Sequence, residues 1–391
     1  MTASVPVVHV SIVHPPDEPR IYERECRTLA QAGYDVTYLA PGAPAGRDAY
    51  GVRRAALPLR SRTRRWLSTR EIVAELRGLR PFVVHTHDPE LLTLLPLLRP
   101  FVPRLVCDVH EYVAQAIMAK EYIPAGARPA ISKASGFALR ELAAWADGGI
   151  VAYDGMLDQF GVRPRLRMVA PNYPRLAHFE GAAPIADLAA DRRLRLVYIG
   201  ALSPMRGCRL MLDVMERLDR DDALLVLGGR FSSPDLERET MARLAAGLDD
   251  RVRFLGRVPR DEVPRYMASA DVVWNPMLPS VQYALPSVET KIYEGAAAGL
   301  AVLTSDLTGR TELVVGEGLG IAVAPTVDGH LGGVRRLMAD RASVAAMGQR
   351  GRAITRERYS WEAFEERFLD LTTGCAPPVA EADSATCLEY P

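Results

Sequence analysis

The sequence predicts an α/β protein built from two successive doubly wound domains, each a parallel sheet covered by helices on both faces. Three observations carry this expectation. Short apolar runs alternate with stretches of helical periodicity through most of the chain. That rhythm breaks once, in a Pro-, Ala- and Gly-rich stretch, and then restarts. The 391 residues, 48% apolar and 25% charged, suffice for two soluble cores.

Taken in order, Val7 to Val13 reads as a buried strand. Tyr22, Cys26, Leu29 and Ala30 then recur at helical spacing, and Gly33 is placed to cap that helix. Further strands are expected at Asp35 to Leu39, Val83 to Thr86, Leu105 to Val109 and Gly149 to Ala152, which makes residues 1–175 the first domain. Pro171, Pro174 and Pro184 mark a break, with a linker over 176–193. Strands at Leu194 to Ile199, Ala223 to Leu227, Val252 to Leu255, Asp271 to Trp274, Ala301 to Thr304 and Gly320 to Val323 build a second domain over 194–357. Trp361, Phe364, Phe368 and Leu371 trace an amphipathic helix over 358–373, expected to return to the first domain. Residues 374–391 have no periodicity and read as a disordered tail.

Composition excludes several classes. The 48 basic residues balance 48 acidic ones, so no net charge favours nucleic acid. Arg60 to Arg70, with Trp66 inside it, is the one basic cluster; a solvated loop and a docking patch for a membrane surface or acceptor both fit it. The five cysteines lie far apart without metal-ligand spacing, as in a reduced cytosolic protein. No signal peptide and no spanning apolar run is visible, so a cytoplasmic location is expected, with peripheral membrane contact at most.

In open parallel sheets, ligands bind beyond the carboxyl ends of the strands. Two loop-to-helix junctions of the second half meet that condition. The first runs from Gly200 through Ser203, Pro204 and Arg206 to Gly207, where helix N–H groups and Arg206 suit a phosphate. The second runs from Pro286 to Gly299 and sets Lys291 and Glu294 on one helix face, a cation and a carboxylate for phosphate and sugar hydroxyls. Spacing alone also allows an ordinary turn at the first and an exposed salt bridge at the second.

At these residues the sequence resembles glycosyltransferase family 4, whose members are retaining enzymes of the GT-B fold: two Rossmann-like domains facing across a cleft. The family's strand–Gly-Arg-Leu–three residues–Lys-Gly element is matched by Gly200, Leu202 and Gly207, with Arg206 in the Lys position and Ala201 in the Arg position. Of its two glutamates separated by seven residues, the ribose-binding one falls on Glu294, followed by Gly299-Leu300-Ala301-Val302. The other falls on Pro286, which marks a subgroup lacking that carboxylate but carrying a lysine at the place of Lys291. Arg257-Val258 resembles the family's base-contacting strand end. The resemblance covers roughly residues 5 to 372, and the Lys291 to Val302 block is its most specific part.

The first half resembles the same subgroup's acceptor domain, through His14-Pro15-Pro16-Asp17, Arg20, His85-Thr86-His87-Asp88 and Asp108-Val109-His110-Glu111. This implies acceptor and sugar contacts from His14, Asp17, Arg20, His87, Asp88 and Glu111, and places His110 against the transferring sugar. His9 and His85, within strands, read as core residues. His85 and His87 lack a third metal ligand nearby in sequence, and Asp219-Arg220-Asp221 lies at the wrong end of its sheet for a metal motif. No dinucleotide fingerprint follows the first strand, and no Walker-type phosphate loop is present.

The implied function is transfer of a sugar from a UDP-, GDP- or dTDP-sugar, with Arg206 and Lys291 neutralising the diphosphate and with no cofactor or obligatory metal. The Ala-, Arg- and Gly-rich usage resembles that of high-GC actinobacteria, where acceptors include small secondary metabolites. Glycan and lipid-linked acceptors fit as well. A sugar-nucleotide epimerase or hydrolase of the same fold, and an inactive partner subunit, are the alternatives.

Overall fold

In the computed structural model the chain divides into two compact units, Met1–Pro171 with Glu365–Pro391, and Asn172–Phe364. The structure describes residues 4–118, 120, 122–161, 164–280 and 285–375. Each unit is a parallel sheet with helices on both faces, the two-domain α/β architecture of the GT-B type.

The first unit contains β1 (Pro6–Val10), β2 (Asp35–Pro41), β3 (Gly46–Arg47), β4 (Arg53–Leu57), β5 (Val83–Thr86), β6 (Arg104–Val109), β7 (Gly148–Val151) and β8 (Leu166–Val169). Their spatial order is β3-β4-β2-β1-β5-β6-β7-β8, parallel except for the β3–β4 pair. Val-rich strands buried on both faces, such as β1 and β5, are what a doubly wound sheet requires at its centre. The chain winds outward from β1 to one edge, then returns to β5 on the other side of β1. The switch point between β1 and β5 is therefore where a ligand crevice opens. In that register His9 lies beside His85.

Two features here depart from expectation. β1 stops at Val10, because Ser11 to His14 are drawn into a turn. The outer strands β3, β4 and β8 escape a periodicity search; β4 reads Arg-Arg-Ala-Ala-Leu and lies near an edge, where neither face demands an apolar run.

The second unit contains β9 (Leu194–Ile199), β10 (Ala223–Gly228), β11 (Val252–Gly256), β12 (Val272–Asn275), β13 (Ala301–Ser305) and β14 (Gly320–Val323) in the order β11-β10-β9-β12-β13-β14. All neighbours are parallel, and the switch point lies between β9 and β12. Alternate residues serve opposite cores: Leu196, Tyr198 and Trp274 pack on one face, Val197, Val273 and Ile292 on the other.

Residues 176–193 are not a free linker. Phe179 and Leu188 enter the second unit's core, and Ile185 N donates to Ser269 Oγ (2.7 Å). Pro184 interrupts regular structure there, but the apolar side chains on either side of it still find a core. The helix Trp361–Cys375 starts on the second unit, where Trp361 N donates to Pro174 O (2.8 Å). From Glu365 it groups with the first unit: Thr28 Oγ1 donates to the Glu365 carboxylate, and the Phe368 ring lies 6.3 Å from that of His85. Of the expected tail over 374–391, everything past Cys375 lies outside the described residues. Among the described residues no helix is long and apolar enough to cross a membrane.

Candidate functional site

In the second unit the tips of β9, β10 and β11 meet through glycine backbone. Gly200 N donates to Gly228 O (3.0 Å), and Gly229 N to Gly256 O (2.7 Å). A Cβ on Gly229 would stand 1.7 Å from Gly200 O, so this packing admits only glycine. Gly207 (φ 74°) precedes the helix Cys208–Glu216, and a Cβ there would lie 2.1 Å from Pro276 O. The phosphate-type turn is thus pressed against the loop after β12, where Leu278 N donates to Met205 O (2.9 Å). Ser203 shapes this turn: its Oγ accepts from Arg206 N (3.2 Å) and its carbonyl from Cys208 N (3.2 Å). Arg206 is half-buried, Arg257 is exposed, and Val258 packs against Gly228.

Lys291 is the second residue of the helix Thr290–Ala298 and only 7% exposed. Its Nζ lies 4.4 Å above the Tyr198 ring and would be 2.9 Å from a Cβ on Gly200. The ammonium therefore sits over the carboxyl end of the central strand. Among the described residues it has no carboxylate within ion-pair distance. Glu294, one turn on, is equally buried, and its Oε1 lies 3.0 Å from Arg260 Nη2. The exposed Lys291–Glu294 salt bridge that spacing allowed is not formed. A buried cation at a switch point, without a counter-ion among the described residues, has the chemistry to take an anion.

Sequence reasoning missed what holds this helix. Glu289, just before it, accepts from Arg310 Nε (2.8 Å) and Asn275 Nδ2 (2.9 Å), and Arg310 is fully buried. An acid at a helix start was a visible signal. The arginine 21 residues on was not.

In the first unit the site is a buried polar cluster at the β1/β5 switch point. Arg20 clamps Asp108 with two hydrogen bonds (Nε to Oδ2 2.9 Å, Nη2 to Oδ1 2.8 Å) and gives a third to Ala170 O (2.6 Å). His110 Nε2 lies 2.9 Å from Asp108 Oδ2, and His87 Nδ1 lies 3.3 Å from the same atom. His9 Nδ1 and His87 Nε2 are hydrogen-bonded at 2.9 Å, with His9 stacked on His85 at 4.4 Å. Glu25 Oε2 stands 3.7 Å from His9 and 3.8 Å from His87.

Burial decides the charges. It depresses His9, aided by His85 and His87, brings His85 down to about 3, and keeps His87 below its ordinary value although Asp108 works against this. Burial opposes charge on Asp108 too, but Arg20 and His110 hold its carboxyl well below the usual range. Burial and the Asp108 charge push Glu25 well above the usual range. The resulting set is one Arg20–Asp108 ion pair, three neutral imidazoles and a neutral carboxylic acid. Because ionised Asp108 only accepts, the His110 Nε2 carries the proton of this hydrogen bond.

Several expected contacts move accordingly. Arg20, 2% exposed, faces Asp108 and not a sugar. Asp88 holds the β1 turn through Oδ2, which accepts from Ser11 Oγ (2.9 Å) and Ile12 N (2.6 Å), while its Oδ1 stands 3.6 Å from His14 Nε2 and the residue lines the cavity described next. Asp17 is exposed on the loop before Pro19. His14, His87, His110 and Glu111 do come together around a cavity of about 540 Å³. His9, Glu25 and His87 also bring ligating atoms within 4.8 Å of one another, as do His87, Asp108 and His110. His85 belongs to neither group, so the His85–His87 pair itself gathers no third ligand among the described residues, whereas His87 meets ligands distant in sequence. The charge balance still disfavours a resident divalent ion, since Arg20 already pairs Asp108 and stands 3.5 Å from Glu25 Oε1.

Residues 20–196 match the model described as Glycosyltransferase Family 4, and residues 193–340 the model described as Glycosyl transferases group 1. A GDP-mannose-dependent alpha-(1-6)-phosphatidylinositol monomannoside mannosyltransferase of Mycobacterium tuberculosis is 29% identical over 203 residues, 49% of this chain and 52% of the relative. D-inositol 3-phosphate glycosyltransferase of Salinispora tropica is 28% identical over 261 residues, 59% and 51% of the two chains. The chain therefore spans about half the length of the curated relatives it matches. Among solved structures, sucrose-phosphate synthase of Thermosynechococcus elongatus superposes with a TM-score of 0.78 at 20% identity, over 95% and 98% of the two chains. HepE of Anabaena in complex with UDP-glucose gives 0.70 at 14% identity, over 94% and 99%. One family model thus falls on each domain: an amino-terminal domain of the Glycosyltransferase Family 4 type is followed by a Glycosyl transferases group 1 domain, on a GT-B fold throughout.

Proposed function

We propose that the chain is a retaining glycosyltransferase that moves a sugar from a nucleoside-diphosphate sugar to an acceptor hydroxyl. Lys291 carries the reading: a buried ammonium without a counter-ion among the described residues, held over Gly200 at the second unit's switch point. Transfer breaks the bond from the sugar's anomeric carbon to the diphosphate and forms one to the acceptor oxygen on the same face. The acceptor proton leaves with the departing diphosphate oxygen. In this reading Lys291 and Arg206 neutralise the charge that grows on the diphosphate. Glu294 accepts from the ribose hydroxyls, Gly200 and Gly207 let backbone approach the phosphates, and Arg257 with Val258 flank the base. His110, oriented by Asp108, meets the transferring sugar, while His14 and Glu111 serve the acceptor; no metal is required. The relatives' donors support a nucleotide sugar without fixing its base, since one is named GDP-mannose-dependent and HepE was solved with UDP-glucose.

Thermal unfolding with UDP, GDP and dTDP tests this directly. A nucleotide at a hundred times its Kd stabilises by about 2.7 kcal/mol. One of the three is expected to raise the melting temperature of the wild type and to lose most of that effect in Lys291→Ala. If none stabilises the wild type, the proposal fails. Comparing the anomeric configuration of product and donor by NMR tests retention.

A further inference from the structure

We infer that the cavity of the first unit takes an acceptor with an apolar body: an alcohol whose hydroxyl lies at the histidine end and whose carbon skeleton runs along the helices. This rests on the transferase reading and deepens it by naming the acceptor class. The cavity is two-faced. Beyond the carboxyl ends of β1 and β6 it is lined by His14, His110 and Glu111. Its other side is Leu92 from the turn Pro89–Leu94, Ile117 from the helix Val113–Met118 and Leu139 from the helix Arg128–Ala143.

Those three are core-type side chains, 1%, 7% and 3% exposed, yet they border an open volume of about 540 Å³. A cavity of that size suits a small molecule, and its open wall is more apolar than polar, although Glu90, Thr93 and Ser135 stand among the apolar side chains. The wall is fixed, because Ser132 Oγ donates to Ala114 O (2.8 Å) and ties the two helices together. An oligosaccharide carries hydroxyls on every side. Facing Leu92, Ile117 and Leu139, only those that reach Glu90, Thr93 or Ser135 would find a partner, and each buried unpaired hydroxyl weakens binding roughly tenfold. An apolar skeleton instead gains by leaving water there. Lys120 and Arg65 also line the cavity, alongside Asp88 and Glu90, and can pair an acidic substituent placed next to them. A hydroxylated aromatic aglycone and a polyprenyl phosphate share this chemistry.

The experiment measures binding to the full chain of three probes: quercetin, undecaprenyl phosphate in phosphatidylcholine vesicles, and maltotriose. Quercetin or the polyprenyl vesicle is expected to bind at least tenfold more tightly than maltotriose; which of the two does so identifies a soluble or a lipid-linked acceptor. Ala138→Trp and Thr93→Trp, exposed positions lining the cavity from different elements, are each expected to weaken that binding at least tenfold. Both variants should keep the nucleotide-dependent rise in melting temperature. Maltotriose binding as tightly as the apolar probes overturns the inference. So does undiminished binding in both Trp variants, or no apolar binding by a wild type that still responds to a nucleotide. A wild type unresponsive to every nucleotide counts instead against the transferase reading.

Discussion

His330 provides a quantitative test of the second unit's core. It is fully buried between Trp274 and Ser305, accepting from the Trp274 indole N–H at Nδ1 (3.0 Å) and lying 3.0 Å from Ser305 Oγ through Nε2. With Nδ1 an acceptor, the ring is neutral, and burial lowers its pKa to about 4. An unfolded histidine titrates near 6.5. Between those values the unfolded chain binds a proton that the native chain does not, so stability falls as pH drops through 6.5 and continues falling toward 4. From pH 7 to pH 5 this one residue removes about 2 kcal/mol, taking roughly 1.4 kcal/mol per unit over 1.5 units. Glutamine replaces both hydrogen bonds, its carbonyl accepting from Trp274 and its amide donating to Ser305, and it does not titrate. Urea unfolding at pH 7 and pH 5 should therefore show a loss about 2 kcal/mol smaller in His330→Gln than in wild type. His9, His85 and His87 act with the same sign in both proteins and cancel in the difference. An identical loss in the two proteins would refute the assignment of a neutral, proton-excluding His330.

Lys291→Ala is expected to lower turnover about 10²–10³-fold, as for loss of one preorganised stabiliser of transition-state charge. Its melting temperature should not fall, because the cation removed has no counter-ion among the described residues. Glu294→Gln should weaken nucleoside diphosphate binding by calorimetry, and unchanged affinity would remove the ribose role. Asp108→Asn removes the hydrogen-bonded carboxylate of buried Arg20 and leaves Glu25, at 3.5 Å, as a possible partner; the loss is expected to cost up to about 3–5 kcal/mol in urea unfolding. Gly229→Ala drives a methyl into Gly200 O at a backbone φ of 148° and should cost at least about 1–3 kcal/mol while abolishing nucleotide binding; full retention of both would contradict the packing of the strand tips.

The inner strands were legible because burial on both faces writes a continuous apolar run. β9 begins and ends where the periodicity placed it, at Leu194 and Ile199. Of the candidate donor-side positions, Gly200 was visible because it directly follows β9, whereas Lys291 and Glu294, on the helix Thr290–Ala298 well after β12, were marked by their three-residue spacing and not by a strand end. The polar cluster of the first unit was not legible. Arg20, Asp108 and Ala170 are separated by 88 and 150 positions, and nothing local says that Arg20 points inward. Glu25 likewise reads as one more helix acid, yet it is buried beside two imidazoles. The stretch over 176–193 misled for the opposite reason, since proline content advertises irregular backbone but does not say whether Phe179 and Leu188 are buried.

The helix Trp361–Cys375 has a consequence for synthesis of the chain. Its second half completes the first unit, where Glu365 meets Thr28 and the Phe368 ring faces His85, some three hundred residues downstream in each case. On the ribosome the sheet from β1 to β8 emerges long before that helix exists. The second unit, contiguous from Asn172 to Phe364, has all its parts as soon as it leaves the exit tunnel. The first unit must therefore wait, with part of its core unsealed, for the helix Trp361–Cys375 to be translated. A chain released early would keep an intact second unit and an unfinished first one.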